Sequence, residues 1–209
     1  MDKIVVVGGG GHAKVLISVL KRVGGYEIVG YTDEVNRNRV LGIEYLGNDS
    51  ILDILHRSVT NAAIGVGNVV VSPVRESIVN RIKAASFLFP TIISPNAIIN
   101  EDVILGEGCV VFDGALVNCG TRIGSFAIVN SQATIEHDCL IGHHVHVAPG
   151  ATICGGVTIG DNTLVGAGAT ILQHISIGRD ILIGAGSVVI EDILSSGTYA
   201  GIPARRVDR

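Results

Sequence analysis

"ATIEHD CLIGHH VHVAPG ATICGG VTIGDN", residues 133–162, decides how the larger part of this chain is read. Cut in sixes, each block opens on Ala, Cys or Val and carries Ile or Val third. The same cut holds from Ala97 to Asp192, sixteen blocks whose third positions are all Ile, Leu or Val, without one insertion. A strand of about three residues followed by a tight corner, repeated, builds a solenoid. Side chains alternate across a strand, so first and third positions face inward and second positions outward. The fourth position is often Gly, which takes backbone conformations that a Cβ resists.

Upstream the period changes. "KIVVVG" reads as a buried strand, "GHAKVLISVLKRVGG" as a helix with glycines at its end, and "EIVGYTD" as a second strand. "NAAIGVG" and "ASFLF" read as further strands, with "SPVRESIVNRIKAA" as a helix between them, capped by Ser72 with Pro73 in its first turn. This is a small α/β unit with a parallel sheet, and the chain divides into residues 1–90 and the solenoid, 91–209.

Composition narrows the function. The chain has 209 residues, 47% of them apolar and 16% charged, with a formal charge of −4, so it buries a proper core and presents no basic footprint for nucleic acid. Apolar runs are broken every few residues, well short of the roughly 20 that a spanning helix needs, so no membrane association is expected. The chain passes from "MDK" straight into a strand without a leader, and a cytoplasmic location is expected. Cys109, Cys119, Cys139 and Cys154 form no C-x-x-C pair and read as small buried hydrophobes.

Four of the seven histidines, His137, His143, His144 and His146, fall in the opening stretch. In the three-sided coil implied by a resemblance of these repeats to the hexapeptide-repeat acyltransferases, successive blocks turn by about a third of a circle, so His137 and His143 belong to different corners and His146 to a face. The repeat disperses the four, and no metal site is expected among them. A spacing of eighteen is one full coil, which places Gly155 directly beneath His137.

The repeats resemble those of the hexapeptide-repeat acyltransferases. The resemblance implies a left-handed, triangular parallel β-helix of about five coils, roughly 25 Å tall at the usual strand spacing of about 4.8 Å, that associates as a homotrimer. The γ-class carbonic anhydrases share that prism but carry a His-x4-His zinc pair, and no two histidines here are five apart. "NSQATIEHDC", "IGHHVHVAPGA" and "CGGVTIG", preceded by "GGGGHAKV" and followed by "GIPARRV", resemble the PglD/NeuD-like sugar acetyltransferases that act on nucleotide-linked amino sugars. The fold class is then an α/β N-terminal Rossmann-like half-domain followed by a left-handed parallel β-helix.

Acetyl transfer from a thioester needs a base, a donor for the developing oxyanion and a place where both meet. An imidazole, with an ordinary pKa near about 6.5, suits the first task. By resemblance the base is His137, backed by the carboxylate of Asp138, an Asp where the family carries the longer Glu; Glu136 competes for the same role. The resemblance also puts His146 at the acetyl-coenzyme A carbonyl, and Gly155 supplies a backbone N–H for the oxyanion. The resemblance further implies that Ala167 and Ala185 lie along the pantetheine, in a groove between adjacent prisms, and Arg205 near the nucleotide end of the coenzyme. No metal is required.

In "VVVGGGGHAKV" a G-x-G-x-x-A pattern runs from Gly8 to Ala13, with Asp33 ending the next strand. The unit is too short for a whole dinucleotide fold, and the same physics suits one nucleotide diphosphate at a helix N-terminus. The resemblance puts Gly10, Gly11 and His12 at the phosphates or base, Asp33 at the nucleoside, Gly65 and Asn68 at the end of a later strand, and Asn130 near the sugar. The family's "AIGDN" or "AIGNN" is "AIGVGN" here. Relatives that O-acetylate sialic acid vary in this loop, so a sugar O-acetyltransferase is the alternative. A non-catalytic nucleotide-sugar binder is the third.

Overall fold

The computed structural model describes residues 1–68 and 70–207. The chain forms two compact units: Met1–Gly67 with Pro73–Pro95, and Asn68–Ser72 with the chain from Asn96 onward.

The first unit contains β1 (Asp2–Val7), α1 (Gly11–Val23), β2 (Tyr26–Thr32), β3 (Arg39–Val40), β4 (Ile43–Gly47), the short α2 (Leu52–Leu55), β5 (Asn61–Ile64) and α3 (Val74–Ala84). Its sheet runs β3-β4-β2-β1-β5, parallel except for the β3–β4 hairpin. β1 lies between two strands and buries Ile4 to Val7, as its unbroken apolar run requires. α1 buries Ala13, Leu16, Ile17, Val19 and Leu20 at helical spacing and ends at Gly24, whose φ of 70° a side chain would resist. β3 and α2 escape the periodicity argument because each covers about one period and cannot show a repeat, and β4 because it buries no residue fully. "ASFLF" is not a strand. It contributes one bridge, Leu88 to Asn61, while Phe87 and Phe89 turn into the core. α3 begins at Val74, and its N-cap position falls on Pro73, already in the helical region, rather than on Ser72.

In the second unit every six-residue block contributes one short strand at its second and third positions, and each strand pairs in parallel with the strand eighteen residues away. Three ladders result. One runs from Ile98–Ile99 through Thr134–Ile135 to Val188–Val189, a second from Ile104–Leu105 through Leu140–Ile141 to Ser176–Ile177. The third runs from Val110–Val111 through His146–Val147 to Ile181–Ile183. We refer to them as the Thr134, Leu140 and His146 faces of a three-sided prism. First and third positions fill its interior from Cys109 onward; each fully buried Ile or Val there contributes about 1.5–3 kcal/mol. The polar exceptions are satisfied: inward Thr121 donates to the Glu136 carbonyl at 2.8 Å and accepts from the Cys139 N–H at 3.1 Å.

Three expectations change. The left-handed residue of the corner is the sixth, not the fourth: Phe126, Gln132, Asp138, His144 and His174 all have φ between 57° and 60°. Fourth-position glycines answer to close approach instead, since a Cβ on Gly124 would meet the next coil's Gly142 and His143 backbone at 2.7 Å. Second positions do not all face out, because Val110, Ile128, His146 and Leu164 of the His146 face are buried. Of the cysteines, Cys109 and Cys139 are buried but Cys119 is exposed. Burial pushes the Cys139 thiol pKa up, against hydrogen bonds from the Val157 and Gly156 backbone.

Candidate active site

The edge that follows the Thr134 face carries Glu136, His137 and Asp138. His137 Nδ1 lies 2.8 Å from Asp138 Oδ2. A carboxylate accepts only, so the ring proton sits on Nδ1 and Nε2 presents its lone pair. Two glycines make this possible. A Cβ on Gly120, one coil before Asp138, would lie 2.6 Å from Asp138 Oδ1; a Cβ on Gly155, one coil after His137, would lie 2.6 Å from His137 Nε2. The stacking expected from the spacing of eighteen is present. The Gly156 N–H donates to the His137 carbonyl at 2.9 Å, whereas the Gly155 N–H meets no acceptor among the described residues. A proton acceptor and an unspent backbone donor therefore sit one coil apart on one edge.

Beyond Gly155 the same edge continues to His174, which occupies the space a Cβ on Gly156 would fill, and to Glu191. Arg205 donates to Glu191 Oε1 at 2.6 Å and to the Ala204 carbonyl at 3.1 Å. The pair is exposed on both sides and worth no more than about 1 kcal/mol.

The other histidines are dispersed. His143 lies on the edge after the Leu140 face, where its Nδ1 accepts from the Ser125 N–H at 2.9 Å, and His144 stacks on Phe126. His146 is 7% exposed, and both ring nitrogens are engaged: Nδ1 with the Asn68 carbonyl at 2.8 Å and Nε2 with Asn130 Nδ2 at 3.0 Å. The ring is thus held between the Asn68 carbonyl and Asn130. Asn130 Oδ1 also accepts from the Ser131 N–H. Asn130, Ala167 and Ala185 share the edge after the His146 face, with both alanines exposed, so one chain carries them on a different edge from His137. Among the described residues no group of three or more His, Cys, Asp or Glu side chains is placed to hold a metal ion.

In the α/β unit, α1 starts at Gly10 with no side-chain cap and no acid in its first turn, and a Cβ on Gly10 or Gly11 would meet nothing within 4 Å. The uncapped first turn is thus sterically open at both glycines, an arrangement suited to an anion at a helix N-terminus. Asp33 is more occupied than expected: Oδ2 accepts from the Gly9 N–H at 2.6 Å and Oδ1 from the Val35 N–H at 2.9 Å, so it holds the glycine loop itself. Gly65 is held in close packing. It is buried, and a Cβ there would meet the Gly8 carbonyl at 2.7 Å and Ala13 at 2.9 Å; its smallness serves packing.

Residues 3–82 match the PglD N-terminal domain, and residues 120–155 and 156–191 match the bacterial transferase hexapeptide (six repeats). PerB from Caulobacter crescentus, solved in complex with CoA and GDP-perosamine, is 32% identical over 100% of this chain and 98% of that chain, with a TM-score of 0.93. The chain belongs to the PglD-like hexapeptide-repeat sugar acetyltransferases. Their left-handed parallel β-helix is therefore the handedness of the prism. The acetyltransferase domain of PglB from Neisseria gonorrhoeae FA1090, in complex with acetyl coenzyme A, is 33% identical over 98% of both chains, with a TM-score of 0.92. UDP-N-acetylbacillosamine N-acetyltransferase of Bacillus subtilis (strain 168) is 34% identical over 114 residues, 53% of this chain and 51% of that protein. The match thus spans about half the length of that curated relative. Among the described residues no helix is long and apolar enough to cross a membrane.

What sequence reasoning missed at the site is Gly120, whose bare Cα makes room for Asp138. The eighteen-residue spacing from Gly120 to Asp138 was the available signal.

Proposed function

We propose that this chain transfers the acetyl group of acetyl-coenzyme A to an amino group of a nucleotide-linked amino sugar, with His137 as general base. The observation that carries the reading is His137 Nε2 set bare above Gly155 and held through Nδ1 by Asp138. The sugar ammonium releases one proton to solvent through His137 and becomes the nucleophile. As its nitrogen bonds to the thioester carbon, charge grows on the carbonyl oxygen, where the Gly155 N–H receives it. The C–S bond then breaks, and the second proton passes through His137 Nε2 to the coenzyme sulfur. The products are an amide, a thiol and one released proton. Residues 1–90 are assigned to the nucleotide sugar, with Gly10, Gly11 and His12 at its phosphates, and residues 91–209 to acetyl transfer. Relatives bound to CoA with GDP-perosamine and to acetyl coenzyme A support both assignments. The exposed free thiol of Cys119 and the acetyl-coenzyme A donor fit a reducing cytoplasm. The test is mass spectrometry of UDP- and GDP-linked amino sugars and of sialic acids incubated with acetyl-coenzyme A. One acetyl added to an amine is expected; acetylation of hydroxyls alone overturns the reading in favour of O-transfer.

The working form is a homotrimer, with the coenzyme between the His137 edge of one copy and the Ala167–Ala185 edge of the next. Support comes from the placement of those residues on different edges of one prism. Mixing a His137→Ala chain with an Ala167→Phe chain, each inactive alone, is expected to restore about a quarter of wild-type activity after subunit exchange, since some mixed interfaces then pair an intact base with an intact groove. No recovery after verified exchange places the groove within one chain instead.

A further inference from the structure

We propose that Glu136 recognises the substrate amine as ammonium, and so makes the site select an amine over a hydroxyl; this rests on the acetyl-transfer reading above. Glu136 immediately precedes the base and is half-buried. Its main chain is fixed on both sides, the N–H donating to the Ile153 carbonyl at 2.9 Å and the carbonyl accepting from Thr121 Oγ1 at 2.8 Å. Its side chain ends a ladder of amides one coil apart: Asn100 Nδ2 donates to Asn118 Oδ1, and Asn118 Nδ2 donates to Glu136 Oε2, both at 2.9 Å. The Cys119 N–H also donates to Asn118 Oδ1, at 3.2 Å, which leaves that amide only one orientation.

The ladder has a direction. Every amide passes its N–H toward the catalytic coil, the chain of donors polarises, and it terminates on an acceptor that carries full charge. One carboxylate oxygen is spent in this way, while Oε1 meets no donor among the described residues. The two acids flanking the base divide the work. Asp138 is turned to Nδ1 of the ring; Glu136 is held by a different set of atoms and keeps one oxygen for a cation. An ammonium offers three donors and a charge, one N–H for Glu136 and another for His137 Nε2, whereas a hydroxyl offers one donor and no charge. Asn118 is then a positioning residue, acting through Glu136.

The experiment measures equilibrium binding without acetyl-coenzyme A, comparing GDP-perosamine and a UDP-linked amino sugar each with the same sugar bearing a hydroxyl in place of the amine. The wild-type chain is expected to favour the amine form about ten-fold or more, Glu136→Gln to bring the ratio close to one, and Glu136→Asp to retain part of it. In turnover, Glu136→Gln is expected to raise KM for the amino sugar about ten-fold with kcat within about three-fold and KM for acetyl-coenzyme A unchanged. Asn118→Ala is expected to fall between. An unchanged binding ratio in Glu136→Gln overturns the proposal and leaves the ladder a structural one. A collapse of kcat at constant KM overturns it in favour of Glu136 as the base. Because the ratio is read without turnover, selective binding with no acetylation of any amine would defeat the transferase reading alone; failure of every sugar pair to bind would defeat both.

Discussion

Replacing His137 by alanine is expected to lower kcat/KM by about 10²–10⁴-fold, the range that a positioned general base supplies, with nucleotide-sugar affinity within about three-fold of wild type. The ring is exposed, its one hydrogen-bonding side-chain partner among the described residues is Asp138, and its backbone carbonyl keeps the bond from the Gly156 N–H whatever the side chain is. Little stability is therefore at stake, and the loss falls on chemistry. Steady-state rates, with calorimetric titration of the nucleotide sugar, separate the two quantities. A non-catalytic binder would be indifferent to the change, so retention of wild-type turnover by any acetylating preparation would remove His137 from the mechanism.

Gly155→Ala is expected to cost nearly as much, about 10²-fold or more in kcat/KM, by a purely steric route. Gly155 is not among the residues with positive φ, so the backbone accepts alanine without strain. The added methyl carbon, however, would lie 2.6 Å from His137 Nε2 and 2.7 Å from its Cε1, and the ring has to swing away from the place where it meets the nucleophile. Displacements of about 1 Å at a reacting centre are worth roughly 10² in rate. The melting temperature is expected to stay close to wild type. In a His137→Ala background the same substitution should add little, because the group it displaces is gone; a fully multiplicative loss in the double variant would show that Gly155 acts independently of the ring, through its N–H.

Much of the prism was legible because its rule is local and repeated. An aliphatic residue at every third position of a six-residue block has only one place to go, a shared interior, and the spacing of eighteen then stacks Gly155 under His137 before any coordinate is known. The strands β1, β2 and β5 and the helix α1 were equally plain, each with an apolar run or stripe that matches its own period. Short pieces without a period, such as Arg39–Val40, Ile43–Gly47 and Leu52–Leu55, were not. The "ASFLF" run went astray for the complementary reason: buried aromatic content can be satisfied by packing alone, without a ladder.

The amino-acid sequence by itself determined the six-residue period; with the three blocks per coil that the family resemblance implies, the order of stacking and the dispersal of the four clustered histidines follow by counting. Only the tertiary structure decided which groups remain available for chemistry. His137 keeps Nε2 bare while His146 spends both nitrogens, one of them on a carbonyl 78 residues away; Asp33 accepts from the Gly9 N–H, and Gly65 packs against Gly8 and Ala13. Hydrogen-bond partners and close contacts are settled by what the folded chain brings alongside, and a periodic pattern contains no information about that.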